Sequence, residues 1–198
     1  MEYVNQPNIK QALDDLAARL AGLARQPADQ TDEKVGLAVC QEALAAATQG
    51  NYGVGALLLD PAGQVIAQGQ NQVFAPQFRS DLHAEMVTMN AFEMQHPDIV
   101  NLWGYTLVSS MEPCPMCLAR LLAAGVGTVK FLANDELGGM VGRIPQLSVA
   151  WTRLAQRQTF QPAVVSADLR QFAIDVMDAT LEVCRAKLLA RCVAPPVP

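Results

Sequence analysis

Two apolar runs, "VGALLL" (54–59) and "QVIAQGQN" (64–71), flank Asp60-Pro61-Ala62-Gly63, and beyond them helical and extended patterns alternate up to Ala133. No other feature constrains the fold as much, because strands separated by helices share one sheet whose faces those helices cover. Proline at the second turn position and glycine at the fourth predict a type I turn, hence a β-hairpin. A helix is expected over Leu82–Gln95, capped by Ser80 or Asp81. "GYTLVSS" (104–110) reads as a strand, "PMCLARLLAAG" as a helix closed by Gly125, and "GTVKFLA" (127–133) as another strand. Residues 72–80 and "NDELGGMVGR" read as loops.

The flanks are helical. Ile9, Leu13, Leu16, Leu20 and Leu23 repeat at helical spacing over Asn8–Arg25, and a second helix is expected over Asp32–Gln49, ending at Gly50. A short strand at Ala163–Val165 precedes a long helix from Ala167 to about Arg191. The expected fold class is α/β: a three-layer α/β/α sandwich with a mixed, about five-stranded sheet. Residues 1–30 form a helical extension, 31–166 the α/β body, 167–191 a C-terminal helix packed on it, and 192–198 a disordered tail ending "APPVP".

Composition narrows the setting. The chain has 198 residues, 51% hydrophobic and 17% charged, which supports one sizeable core. Its net charge of −5, without a basic run, makes nucleic acid a less favoured partner than a small molecule. The amphipathic N-terminus carries Asp14, Asp15 and Arg19, unlike an export signal. No apolar run approaches the roughly 18 residues of a membrane span. Cysteines at 40, 114, 117, 184 and 192 are odd in number and unevenly spaced, which argues for a reducing, cytoplasmic setting over a disulfide framework.

The chemistry concentrates in "MEPCPMC" (111–117). Cys114 and Cys117 lie three residues apart at a helix start, so their sulfurs are about 60° apart around the axis and face one point. Pro113 and Pro115 suit a helix start, and the dipole there favours thiolates. Alone, the pair fits a metal clamp, a redox disulfide or two buried sulfurs. The chain offers two histidines. His96 precedes Pro97 at the far end of the 82–95 helix, about 20 Å from His83, and reads as a capping or surface residue. His83, in "DLHAEM", is the natural third ligand. Two thiolates and one imidazole suit one zinc ion per chain, and three protein ligands leave a position for water, as in catalytic sites. Glu85 is placed to move protons.

"HAE" at 83–85 followed by "PCPMC" at 113–117 resembles the H-x-E…P-C-x-x-C signature of the zinc-dependent cytidine/deoxycytidylate deaminase superfamily. The resemblance covers roughly residues 35–140 and includes the hairpin. It implies hydrolytic deamination, with Glu85 shuttling protons as ammonia leaves. Gly69-Gln70-Asn71 matches a G-x-N element whose asparagine contacts base or sugar, making Asn71 a substrate-binding candidate, with backbone near Ala84 orienting the base. "MEPCPMCLA" and "FLANDELGG" are similar to the branch holding guanine deaminases and tRNA adenosine deaminases, which adds Asp135 as a further pocket candidate. The resemblance also implies a homodimer or higher homo-oligomer. Arg120 replaces a small residue usual on the zinc helix, and both terminal helices depart from the family pattern.

Plainer roles stand beside these. Asn71 suits a strand end bonding its own backbone, and Asp135 a loop residue or cap. Cys40, Cys184 and Cys192 read as small helix residues, Met86, Met89 and Met94 as helix packing, and Trp103 as core or interface. The expected substrate is a free nucleobase, nucleoside or related heterocycle, guanine-type purines preferred. The alternatives are a tRNA-editing adenosine deaminase, with a basic face from Arg143, Arg153, Arg157, Arg185 and Arg191, or a cytosine deaminase. Outside this class stands a non-catalytic zinc module closed by a fourth ligand such as Cys40.

Overall fold

The computed structural model describes residues 7–192. The tail expected to be disordered lies outside the described residues except for Cys192. Five strands order as β2-β1-β3-β4-β5: β1 (Gly55–Leu59), β2 (Val65–Gln70), β3 (Thr106–Met111), β4 (Thr128–Ala133) and β5 (Thr159–Pro162). β1 pairs antiparallel with β2 and β3, while β3, β4 and β5 run parallel. The sheet is therefore mixed and five-stranded.

Alternation along the strands makes the layers. Leu57, Leu59, Val108 and Leu132 enter one core with helices α1 (Pro7–Leu23), α2 (Glu33–Thr48) and α6 (Ala167–Ala190). Leu58, Leu107 and Val129 enter the other, beneath α3 (Ala84–Gln95) and α4 (Pro115–Ala124). α1 buries Ile9, Leu13, Leu16, Leu20 and Leu23 in the first core, and Arg19 binds the Asp175 carboxylate of α6. Burying five such side chains contributes on the order of 1.5–3 kcal/mol each, so α1 is built into this layer.

The hairpin turns as its sequence requires. Gly63 N–H donates to the Asp60 carbonyl at 2.9 Å, and Asp60 Oδ1 accepts from the N–H groups of Ala62 and Gln64. Gly63 has φ +80°, and the register shifts between Leu58 and Leu59, as in a type I turn followed by a left-handed residue.

Two expectations are corrected. The strand expected at Ala163–Val165 lies earlier, at Thr159–Pro162. Ala163 and Val165 are buried in the α1–α2–α6 core, but Val164 N–H leaves the ladder to donate to Asp32 Oδ2 at 2.7 Å. Met94 is 84% exposed rather than packed, while Trp103, expected in the core or at an interface, is 70% exposed and so outside the core. The apolar face of α4 is covered within the chain. Leu118 and Leu122 pack on a 3-10 turn (Val141–Gln146) and on α5 (Val149–Ala155), two elements the sequence reading did not anticipate. Among the described residues no helix is long and apolar enough to cross a membrane.

Candidate active site

α3 begins two residues later than expected, and this later start builds the site. Asp81, one of the two expected caps, is held by Arg79 through two hydrogen bonds of 2.9 and 2.8 Å. His83 becomes the N-cap instead, with φ −68° and ψ 158°. Cys114 is the N-cap of α4, with φ −70° and ψ 171°, and Pro115 follows as its first helical residue. Cys114 Sγ and His83 Nδ1 are 3.5 Å apart. One donor atom from each of His83, Cys114 and Cys117 falls within 4.8 Å of the others.

Glu85, in the first turn of α3, is 3% exposed. Its Oε2 accepts from the Cys117 thiol at 3.3 Å and its Oε1 from the Ser109 hydroxyl of β3 at 3.4 Å. Burial pushes the Glu85 carboxyl above the usual carboxylate range. The hydrogen bond with Cys117, helped by His83, brings the Cys114 thiol down to about 4, while that same bond and burial raise Cys117. Burial opposes protonation of His83, but the bond and charge of Cys114, with the charge of Glu85, outweigh it and raise its pKa.

This donor set fits zinc. Two sulfurs and an imidazole converge beside a buried carboxylate, which crowds negative charge where water is scarce, and a divalent cation between the sulfurs relieves it. Cys40, the suggested fourth ligand, is not in the cluster. It is fully buried between the sheet and α6, and burial raises its pKa.

The cluster opens into a cleft of about 600 Å³. Asn71, Glu112 and the 134–138 loop form part of its wall, and α6 lines another side through Ile174, Met177, Asp178, Leu181 and Arg185. Asn71 is 2% exposed. Its Oδ1 accepts from Val73 N–H at 3.1 Å, the local bond expected of a strand end, which leaves its amide NH₂ for a ligand. Ala84 is fully buried and outside the lining, and its carbonyl accepts from the Thr88 hydroxyl at 2.9 Å. Asp135 lines the cleft, while its Oδ1 accepts from Leu137 and Gly138 N–H groups at 3.1 and 2.8 Å. Trp103 and His96 lie away from the cleft. His96 caps the C-terminus of α3 against the Phe92 ring.

Sequence reasoning missed Ser109, Glu112 and the α6 wall. A serine ending an apolar strand and an acid just before the first cysteine were weak signals for the first two. The residues of α6 carried no sequence signal of their own.

Comparisons with known proteins agree with this geometry. The family described as the cytidine and deoxycytidylate deaminase zinc-binding region matches residues 29–133, and the chain belongs to it. A tRNA-specific adenosine deaminase of Bacillus subtilis is 31% identical over 150 residues, 74% of this chain and 86% of that protein. A tRNA(Ile)-lysidine synthase of Deinococcus deserti is 32% identical over 83% of this chain, which spans only 29% of that longer protein. Among solved structures, a guanine deaminase of Nitrosomonas europaea has a TM-score of 0.57 at 20% identity, covering 82% of this chain and 92% of its own. A tRNA:A34 deaminase gives 0.55 at 21%, covering 70% and 94%. At these identities the structures share the fold.

Proposed function

We propose that the protein is a hydrolytic deaminase of a small purine, guanine-type in preference, taken as free base or nucleoside. In this reading His83, Cys114 and Cys117 hold one zinc ion, which when bound supplies Lewis acidity that lowers the pKa of a water. Glu85 takes a proton from that water and passes protons to the ring nitrogen and the departing amine. Water adds at the amino-bearing carbon, the exocyclic C–N bond breaks, a carbonyl remains and ammonia leaves. The Ser109 hydroxyl donates to Glu85 Oε1, which keeps the carboxylate beside the cluster once Cys117 has given up its thiol proton to bind the metal. Asn71 offers its NH₂ to the base, and the Ala84 N–H, in the first turn of α3, has no partner inside that helix.

The charge of the cleft carries the choice of a small substrate. Among the described residues, Glu85, Glu112, Asp135, Glu136 and Asp178 line it, against Arg185 as the one lysine or arginine. Carboxylates accept hydrogen bonds from the N–H donors of an amino-purine edge, whereas they repel a polyphosphate backbone. Of the five arginines offered as a basic face, only Arg185 lines the cleft, and Arg191 lies over the Phe78 ring, 3.7 Å from its centroid. A second reading, deamination of adenosine in tRNA, is favoured by the name of the Bacillus subtilis relative.

Ammonia release from zinc-loaded protein separates the two, using guanine, adenine, cytosine, their nucleosides and a tRNA anticodon stem-loop. Release from guanine or guanosine that vanishes in Glu85→Ala, with zinc retained, is the expected result. Turnover of the stem-loop with all free bases and nucleosides silent would overturn the small-substrate reading.

A further inference from the structure

Glu112 is an acid two residues before the first cysteine, and its carboxylate meets the backbone of the 134–142 loop. Its Oε1 accepts from Val141 N–H at 2.8 Å and from Gly142 N–H at 3.4 Å, and its Oε2 accepts from Asp135 N–H at 3.3 Å. One carboxylate thus gathers three backbone donors from both ends of the 134–142 loop. The following residue adds a fourth tie, because the Pro113 carbonyl accepts from Met140 N–H at 3.0 Å. Glu112 N–H donates in turn to the Ala133 carbonyl at the end of β4, where that loop begins.

The loop is shaped around this carboxylate. A Cβ on Gly139 would collide with Glu112 Oε2 and lie 2.5 Å from the Asp135 carbonyl, so only glycine lets the chain pass there. Hydrogen bonds to a charged acceptor are stronger than neutral ones, and three on one group hold a segment that has no strand or helix of its own until Val141. The same segment places Asp135, Glu136 and Leu137 on the cleft wall.

We propose that Glu112 is a positioning residue that fixes the 134–142 loop to the strand end carrying Cys114, and so sets substrate affinity without holding the metal or moving a proton. The proposal rests on the deaminase reading for its kinetic consequence and on the hydrogen bonds alone for its structural one. The full zinc-loaded chain tests both. In Glu112→Ala, amide hydrogen exchange at Asp135, Val141 and Gly142 should speed up by about tenfold or more. Zinc should stay at the wild-type level, and KM should rise about tenfold while kcat changes little. Glu112→Gln, which keeps the shape and one acceptor oxygen but loses the charge, should give a smaller change of the same exchange and KM pattern and guards against a variant that fails to fold.

Unchanged exchange at those amides with lost activity would mean that Glu112 acts directly on substrate, overturning the positioning role. Loss of zinc in a folded Glu112→Ala would overturn it as well. If the wild type turns over nothing, the deaminase reading fails, while the exchange result still decides what Glu112 holds.

Discussion

His83 and Cys114 hold the same position, the N-cap, in two different helices, and their donor atoms lie 3.5 Å apart. An N-cap residue is extended and half outside its helix, so its side chain projects past the helix end. Two helices starting at the same edge of one sheet therefore bring an imidazole and a sulfur together ahead of both, and Cys117 reaches the same point from the first turn of α4.

This geometry predicts the metal behaviour. Cys114→Ala and Cys117→Ala should each reduce zinc from about one per chain to near zero, measured by elemental analysis after dialysis. Chelation should lower the melting temperature of the wild type and leave that of Cys114→Ala unchanged. A site saturated at a thousand times its Kd stabilises by about 4 kcal/mol. Cys40→Ala should leave zinc unchanged, and a loss there would revive the closed, non-catalytic site.

Glu85 touches the Cys117 sulfur, and its removal should separate chemistry from metal binding. Glu85→Gln keeps the shape and loses the proton carrier, so kcat should fall by about 10²–10⁴-fold with zinc retained. Equal activity in the variant would assign proton transfer elsewhere.

Asn71 divides its amide between two tasks, and two substitutions separate them. Asn71→Asp keeps the acceptor for Val73 N–H but loses the NH₂, so it should fold normally and raise KM. Asn71→Ala loses both and should cost about 0.5–1.5 kcal/mol of stability from the missing local bond. Urea unfolding and steady-state kinetics on the two variants check this. A wild-type KM in Asn71→Asp would remove the residue from substrate binding.

Legibility in the sequence followed the range of each interaction. The convergence of His83, Cys114 and Cys117 was legible because two sulfurs three residues apart at one helix start and an imidazole at another have few other uses together. The hairpin was legible because Asp60 and Gly63 settle it within five residues. The cap of α3 was misread because Arg79, two residues away, competes for Asp81 and takes it out of capping. The last strand was misplaced for a longer-range reason. Ala163 and Val165 are as buried as strand residues, but Asp32, 132 positions before Val164, captures its N–H, and Glu33 accepts from Ser166 N–H at 2.7 Å. Glu112 and the α6 wall were illegible because their meaning lies in which backbone groups or cavity they meet after folding. No spacing along the chain encodes that.

α1, expected from sequence as an extension of the α/β body, places its five apolar residues in the same core as α2, α6 and one face of the sheet. Arg19 lies over the Phe172 ring of α6 as well as binding Asp175, and α6 in turn lines the cleft. A helix sharing that core should unfold with it. Leu13→Ala, at a residue 5% exposed, should therefore cost about 2–5 kcal/mol and shift a single cooperative urea transition without splitting it. If α1 were detachable, the same variant would lose α1 helicity at low urea and leave the main transition in place. Circular dichroism and tryptophan fluorescence would then give two midpoints instead of one. Because α6 connects α1 to the cleft, a loosened α1 should also raise KM before it affects zinc, which kinetics at low urea can follow.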